Sequence, residues 1–106
     1  MHAFELADLA ARQAASGRLY LEFLREATLS AGLYVLPAGA ADPQQPHDED
    51  EVYVVMSGRG QIRVGDEDRG VQAGSVVFVG RGAPHYFHTI EEDLRIIVLF
   101  APPESA

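Results

Sequence analysis

Two histidines and a glutamate stand where they could share one metal ion. His47 leads directly into four acids, Asp48 to Glu51, and Glu51 opens an alternating apolar run that ends at Gly58. His85 opens a later extended stretch, just after Gly82-Ala83-Pro84. If the two strands are neighbours, the three side chains meet inside a barrel. Two imidazoles and one carboxylate form the facial set that suits non-haem Fe(II), with positions left open for substrate or oxygen; Mn, Ni and Zn are also chemically acceptable. Each residue has a plainer reading as well. His47 alone reads as a solvated loop histidine, Glu51 as an exposed strand-end acid, and His85 as a turn histidine with one hydrogen bond. A buried Glu51 would need a metal or an arginine partner. Asp48, Glu49 and Asp50 read as solvated, with Glu49 two residues from Glu51 and so able to face the same way.

The neighbouring positions follow from strand alternation. Tyr53 and Val55 share a face with Glu51, and Phe87 and Thr89 share one with His85. Tyr86 and His88 then point the other way, which argues against His88 as a ligand. Tyr53, Phe87 and Tyr34 are the candidate pocket walls, against the commoner fate of a strand aromatic as core packing.

Composition narrows the classes of function. The chain has 106 residues, one domain's worth, with 47% hydrophobic residues and no cysteine. Disulfides, thiolate zinc sites and a cysteine nucleophile are therefore excluded. Sixteen acids against eight bases, every one an arginine, give a net charge of −8. An acidic domain repels phosphate backbones and anionic lipid surfaces, so neither nucleic acid nor membrane is an expected partner. No apolar run has the length a membrane helix needs. Met1 to Glu5 lack the basic, apolar start of a secretory signal, which makes the cytoplasm the expected location.

The elements that must position these residues are mostly strands. Residues 4–15 place Phe4, Leu6, Leu9 and Ala10 near one face of a helix, and Gly17 stops it. Leu19–Leu24, residues 30–36, Glu51–Met56, Gln61–Val64, Ser75–Val79, His85–Thr89 and Leu94–Phe100 read as strands. Turns are expected at Ser57–Gly60, Gly65–Asp68, Gly80–Pro84 and Glu91–Asp93. Short strands with turns about every ten residues indicate an all-β sandwich or barrel.

The spacing of the glycines around the candidate ligands adds a resemblance. Gly39 is followed by five residues, then Gln45-Pro46-His47, three residues, Glu51, six residues and Gly58. Gly74 is followed by five residues, Gly80-Arg81-Gly82, two residues, His85, three residues and Thr89. The chain resembles a small single-domain cupin of the type-2 kind, whose two motifs have these spacings, and fifteen residues separate Gly58 from Gly74 as in the short inter-motif form. Three positions depart from the pattern. Gln45 stands for the usual first histidine, Gly80 for a proline and Thr89 for an asparagine. The resemblance implies an all-β double-stranded β-helix, a jelly-roll barrel, with a short N-terminal α-helix. Residues 1–17 would be the helix, 18–101 the barrel and 102–106 a tail. It further implies a ligand set of His47, Glu51 and His85, with Gln45 or a water in the fourth place, holding one divalent transition metal.

A barrel of this kind hosts many chemistries, so the fold alone gives no reaction. Three functions are compatible with the residues: a metal-dependent enzyme such as a small-molecule dioxygenase or isomerase, a non-catalytic ligand-binding or sensor protein, and a dimeric interaction module without metal. A homodimer paired through Leu19–Leu24 is expected under each, because an open apolar edge is a liability.

Overall fold

The computed structural model describes residues 1–105. The chain forms α1 (Leu6–Ser16), β1 (Tyr20–Arg25), β2 (Ser30–Leu36), β3 (Asp50–Val64), β4 (Glu67–Gln72), β5 (Val76–Val79) and β6 (His85–Ala101). All-β architecture with one short helix is thus what the sequence folds into. Every strand pairing is antiparallel. The sheet order is β1-β2-β6-β3-β4, and β5 pairs with the first residues of β3, Glu51–Val54, on the edge opposite β6 that β4 continues.

Two strands are longer than the sequence suggests. Ser57–Gly60 does not turn the chain; it lies within the fifteen residues of β3. Glu91–Asp93 likewise lies within the seventeen residues of β6. The two pair from Asp50↔Ala101 to Val64↔His85, with register shifts between Val55 and Gln61. These bulges accentuate twist and bend the ladder, so that its two ends face each other inside a rolled sheet. Gly58 has φ 92°, and a Cβ there would meet the Asp93 carbonyl oxygen at 2.1 Å. Thr89 has φ 48°. That breaks the alternation after Phe87: Thr89 is exposed and Ile90 is buried in its place.

The interior is filled by inward residues of β2 to β6, among them Leu36, Tyr53, Val55, Ile62, Val71, Val79, Phe87, Leu94, Ile96, Val98 and Phe100. Helix α1 lies against β1 and β2 and buries Leu9. Phe4 and Leu6 stay largely exposed, although Phe4 packs edge-on against Phe23 at 4.9 Å. Gly17 caps the helix in the left-handed conformation, as expected. No helix is long and apolar enough to cross a membrane, among the described residues.

Candidate metal centre

Three separate segments deliver the site. Glu51 comes from the start of β3, His85 from the start of β6, and His47 from the loop 37–49 that joins β2 to β3. That loop is pinned at several points. Gly82 N–H donates to the His47 carbonyl at 2.7 Å, Arg81 N–H to Asp50 Oδ1 at 3.0 Å, and Ala38 N–H to Asp93 Oδ1 at 2.8 Å.

The ligating atoms of His47, Glu51 and His85 all lie within 4.8 Å of one another. His85 Nε2 is 3.1 Å from Glu51 Oε1, and His47 Nε2 is 4.0 Å from the same oxygen. Glu51 is 1% exposed, and its second oxygen, Oε2, has no hydrogen-bond partner among the described residues. A buried carboxylate oxygen without a partner is strongly disfavoured. No arginine answers it; around it are the imidazoles of His47 and His85, the Gln44 carbonyl, and the Tyr53 hydroxyl, which lies 3.0 Å from His85 Nε2. His85 Nδ1 donates to the Ala83 carbonyl at 2.7 Å, leaving the Nε2 lone pair of the neutral ring to face Glu51. His47 Nδ1 lies 3.5 Å from Glu104 Oε2, which orients its Nε2 inward in the same way. Imidazoles held from behind by a carbonyl or carboxylate are the usual setting of metal-ligating histidines. Facing lone pairs need either a proton or a cation between them. The proton alternative is visible at His85. Burial pushes its imidazolium down, but the hydrogen bond and charge of Glu51 and the Ala83 carbonyl outweigh that and raise its pKa.

A fourth donor atom is present, an oxygen of Gln44. Gln44 Oε1 lies 3.1 Å from His85 Nε2 and accepts from Tyr53 Oη at 2.8 Å. Its Nε2 is turned away and donates to Asp42 Oδ2. Asp42 also accepts from Tyr34 Oη at 2.5 Å and from Phe87 N–H at 2.9 Å, which locks the amide orientation. Gln45 is exposed. The inward glutamine is therefore one residue earlier than the motif spacing suggests, because Pro43 and Pro46 bracket a loop to which strand alternation does not apply. The sequence reading missed Gln44 and Asp42 altogether; a polar pair two residues apart in a loop gives no periodic signal.

The other expected residues fall as follows. Tyr53 is buried beside Glu51, and burial together with the Glu51 charge drives its phenol pKa far upward. Phe87 packs edge-on behind Tyr53 at 5.0 Å and belongs to the core, away from the cavity wall. His88 points outward to Asp68 Oδ1 at 2.6 Å, as alternation requires. Glu49 is buried, contrary to the solvated reading, and accepts from the Ser105 amide and hydroxyl. Asp48 and Asp50 are exposed. Beside the cluster is a cavity of about 280 Å³, bordered by Tyr20, Tyr34, Gln44, Tyr53, Phe100 and Glu104 among others.

Residues 32–100 match the family described as Cupin domain. The chain belongs to the cupin family. A similar cupin-sized relative is the uncharacterized protein SCO3923 of Streptomyces coelicolor, 55% identical over 99% of this chain and 100% of the other. Among solved structures, TT1209 from Thermus thermophilus is 24% identical with a TM-score of 0.77, over 97% of this chain and 99% of that one. The DMSP lyase DddQ from Ruegeria pomeroyi DSS-3 is 27% identical with a TM-score of 0.67, over 72% of this chain but only 39% of that one. These likenesses make the barrel a double-stranded β-helix; cupins often bind a metal, and the His47/Glu51/His85 group could hold one.

Proposed function

We propose that this cupin holds one divalent transition metal on His47, Glu51 and His85, with Gln44 Oε1 as the adjacent oxygen, and acts through it on a small molecule in the neighbouring cavity. The observation that carries the reading is the unpartnered, buried Glu51 Oε2 beside two imidazoles and the Gln44 carbonyl. A bound ion would supply Lewis acidity and a template for substrate, or would activate oxygen. The protein's own part is to hold both imidazoles with Nε2 inward, through Ala83 and Glu104, and to fix the Gln44 carbonyl through Asp42. The donor set, nitrogen and hard oxygen, fits Fe, Mn, Ni or Zn. A dioxygenase or an isomerase is the class of enzyme this supports.

The second reading is a non-catalytic ligand-binding or sensor cupin. It is favoured by the engagement of the cavity's proton-transfer groups with one another: Tyr34 with Asp42, Tyr53 with Gln44, and His47 with Glu104. A metal-free interaction module is disfavoured by Glu51. A homodimer remains part of the proposal, supported by β1 as an open edge of the sheet. Sedimentation would show twice the 11.5 kDa chain mass, and a monomer at all concentrations would refute it. A cytoplasmic protein acting on a diffusible small molecule, with neither nucleic acid nor membrane as partner, completes the reading.

The test is elemental analysis of untagged protein after incubation with Fe(II), Mn(II), Ni(II) and Zn(II), beside His47→Ala and His85→Ala. About one metal per chain, lost in both variants, is expected. Oxygen consumption and isomerisation screens on the loaded protein then separate enzyme from sensor. A parent that takes up no metal defeats the proposal.

A further inference from the structure

Strand β6 ends at Ala101, and Pro102 and Pro103 follow. Neither proline has an N–H to give, so the chain cannot continue the ladder there. The next two amides belong to Glu104 and Ser105, and both are given to side chains. Glu104 N–H donates to Ser30 Oγ at 2.9 Å, and Ser105 N–H donates to Glu49 Oε1 at 3.3 Å. The Ser105 hydroxyl adds a bond to Glu49 Oε2 at 3.2 Å. Both acceptors are built into the fold: Ser30 starts β2 and is fully buried, and Glu49 is 3% exposed. Among the described residues, Glu49 has its side-chain hydrogen bonds from Ser105 alone. A buried carboxylate is costly unless it is hydrogen-bonded, so Glu49 keeps a docking place for this segment.

The segment carries Glu104 into the site. Glu104 Oε2 lies 3.5 Å from His47 Nδ1, and the residue borders the cavity. Burial opposes an ionised carboxylate there, His47 favours it, and the charges of Glu22, Glu49 and Glu51 oppose it again. An ion on His47, Glu51 and His85 would change that balance in two ways. Its positive charge attracts the Glu104 carboxylate. By drawing on the Nε2 lone pair of His47, it also makes the Nδ1 N–H a stronger donor toward Glu104. Docking of the segment and binding of the ion therefore favour each other, and a coupling of binding free energies acts equally in both directions.

We infer that residues 102–105 form a strap whose docking on Ser30 and Glu49 completes the metal centre, with Glu104 as the positioning residue that couples the strap to His47. This rests on the metal reading given above and adds a moving part to it. The strap opens more often in metal-free protein and is held closed when the ion is bound.

Zn(II) is the probe, because it suits the donor set and leaves NMR signals sharp. Amide exchange at residues 104 and 105 is followed by NMR in chelator-stripped protein with and without Zn(II), beside Zn(II) affinity by chelator competition. Zn(II) should slow exchange at both amides about tenfold or more in the parent, since these amides exchange by local opening of the strap. Glu104→Ala keeps both anchors, so it should lose the zinc-dependent slowing and bind Zn(II) about tenfold or more weakly. Ser30→Ala touches no metal ligand and leaves the charges of the site unchanged. It should speed exchange at both amides about fivefold or more in stripped protein, as expected for one lost hydrogen bond. Zn(II) uptake with unchanged exchange, slowing that persists in Glu104→Ala, or parent-like exchange in Ser30→Ala would each overturn the inference and leave the metal centre standing. Absence of metal uptake would remove the inference together with the metal reading beneath it.

Discussion

At the residue scale, Asp42 governs the site without touching its centre. Its carboxylate accepts the Gln44 amide N–H, so the Gln44 oxygen points at His85 and Tyr53. Asp42→Ala would remove both accepting oxygens, leaving the Gln44 amide free to flip and turn inward its nitrogen, which cannot ligate. Metal affinity should then fall by about 10- to 100-fold, measured by chelator competition, the range seen when groups behind metal ligands are removed. Gln45→Ala should leave it unchanged; an equal loss in Gln45→Ala would reverse the assignment. The raised pKa of His85 sets the pH dependence. A raised value means that the folded, metal-free protein holds the proton more tightly than the unfolded chain, so His85 contributes stability below its ordinary pKa of 6.5 and loses it as pH rises through the raised value. A metal must displace that proton. Uptake near neutral pH should therefore release protons, and apparent affinity should weaken as the pH falls from about 8 to about 6. Calorimetry in buffers of different ionisation enthalpy reads this directly, and buffer-independent heats would contradict it. His47, Glu51 and His85 were legible in the sequence because their spacing from the flanking glycines is fixed by strands and tight turns. Gln44 was not, because the loop between Pro43 and Pro46 obeys no period.

At the element scale, β3 and β6 do the work that a set of shorter strands was expected to do. The sequence reading ended a strand at Ser57–Gly60 and another at Glu91–Asp93, since glycine pairs and acidic triplets normally mark turns. Here both segments are the bulged middle of one ladder. Their polar residues face solvent, where Arg59 bridges Glu91 at 2.9 Å and Glu92 at 3.6 Å. A hydrophobic pattern cannot distinguish a bend within a strand from a turn between two. The outer ends of the strands, by contrast, were readable from plain alternation, which is why Glu51, Tyr53 and His85 were correctly turned inward. Two motif glycines allow the bend to be tested. Gly58 combines φ 92° with the Asp93 carbonyl 2.1 Å from any Cβ, whereas Gly74, at φ 94°, has open space around it. Gly74→Ala should cost about 1 kcal/mol, the strain of a left-handed residue alone. Gly58→Ala must also push β3 away from β6 and should cost about 3 kcal/mol, lowering the melting temperature by roughly 10 °C or more. Similar losses in the two variants would mean that the ladder has slack at the bulge.

At the scale of the whole molecule, the site sits where the fold closes. Glu51 and His85 start the two long strands, whose pairing runs from one end of the ladder to the other, and only the rolling of the sheet brings them within 3.1 Å. His47 adds the loop 37–49, and Glu104 adds the tail, whose amide donates to Ser30 Oγ at 2.9 Å. An ion held there would link loop, β3 and β6 in the folded state and would find no such set in the unfolded chain. It would therefore stabilise the fold by mass action, by about 4 kcal/mol when free metal exceeds its Kd about a thousandfold. For a chain of this size that corresponds to a rise in melting temperature on the order of 15 °C. His85→Ala removes the ligand proposed on β6 and should melt at the same temperature with and without metal. The outer histidines provide the control: His2 faces Glu26 and His88 faces Asp68, and both pairs are exposed enough to attract an ion weakly. A metal-dependent rise that survives in His85→Ala but disappears in His88→Ala would locate the stabilising ion on the outer face of the barrel. Only a rise abolished by His85→Ala and kept in His88→Ala ties metal binding to closure of the fold.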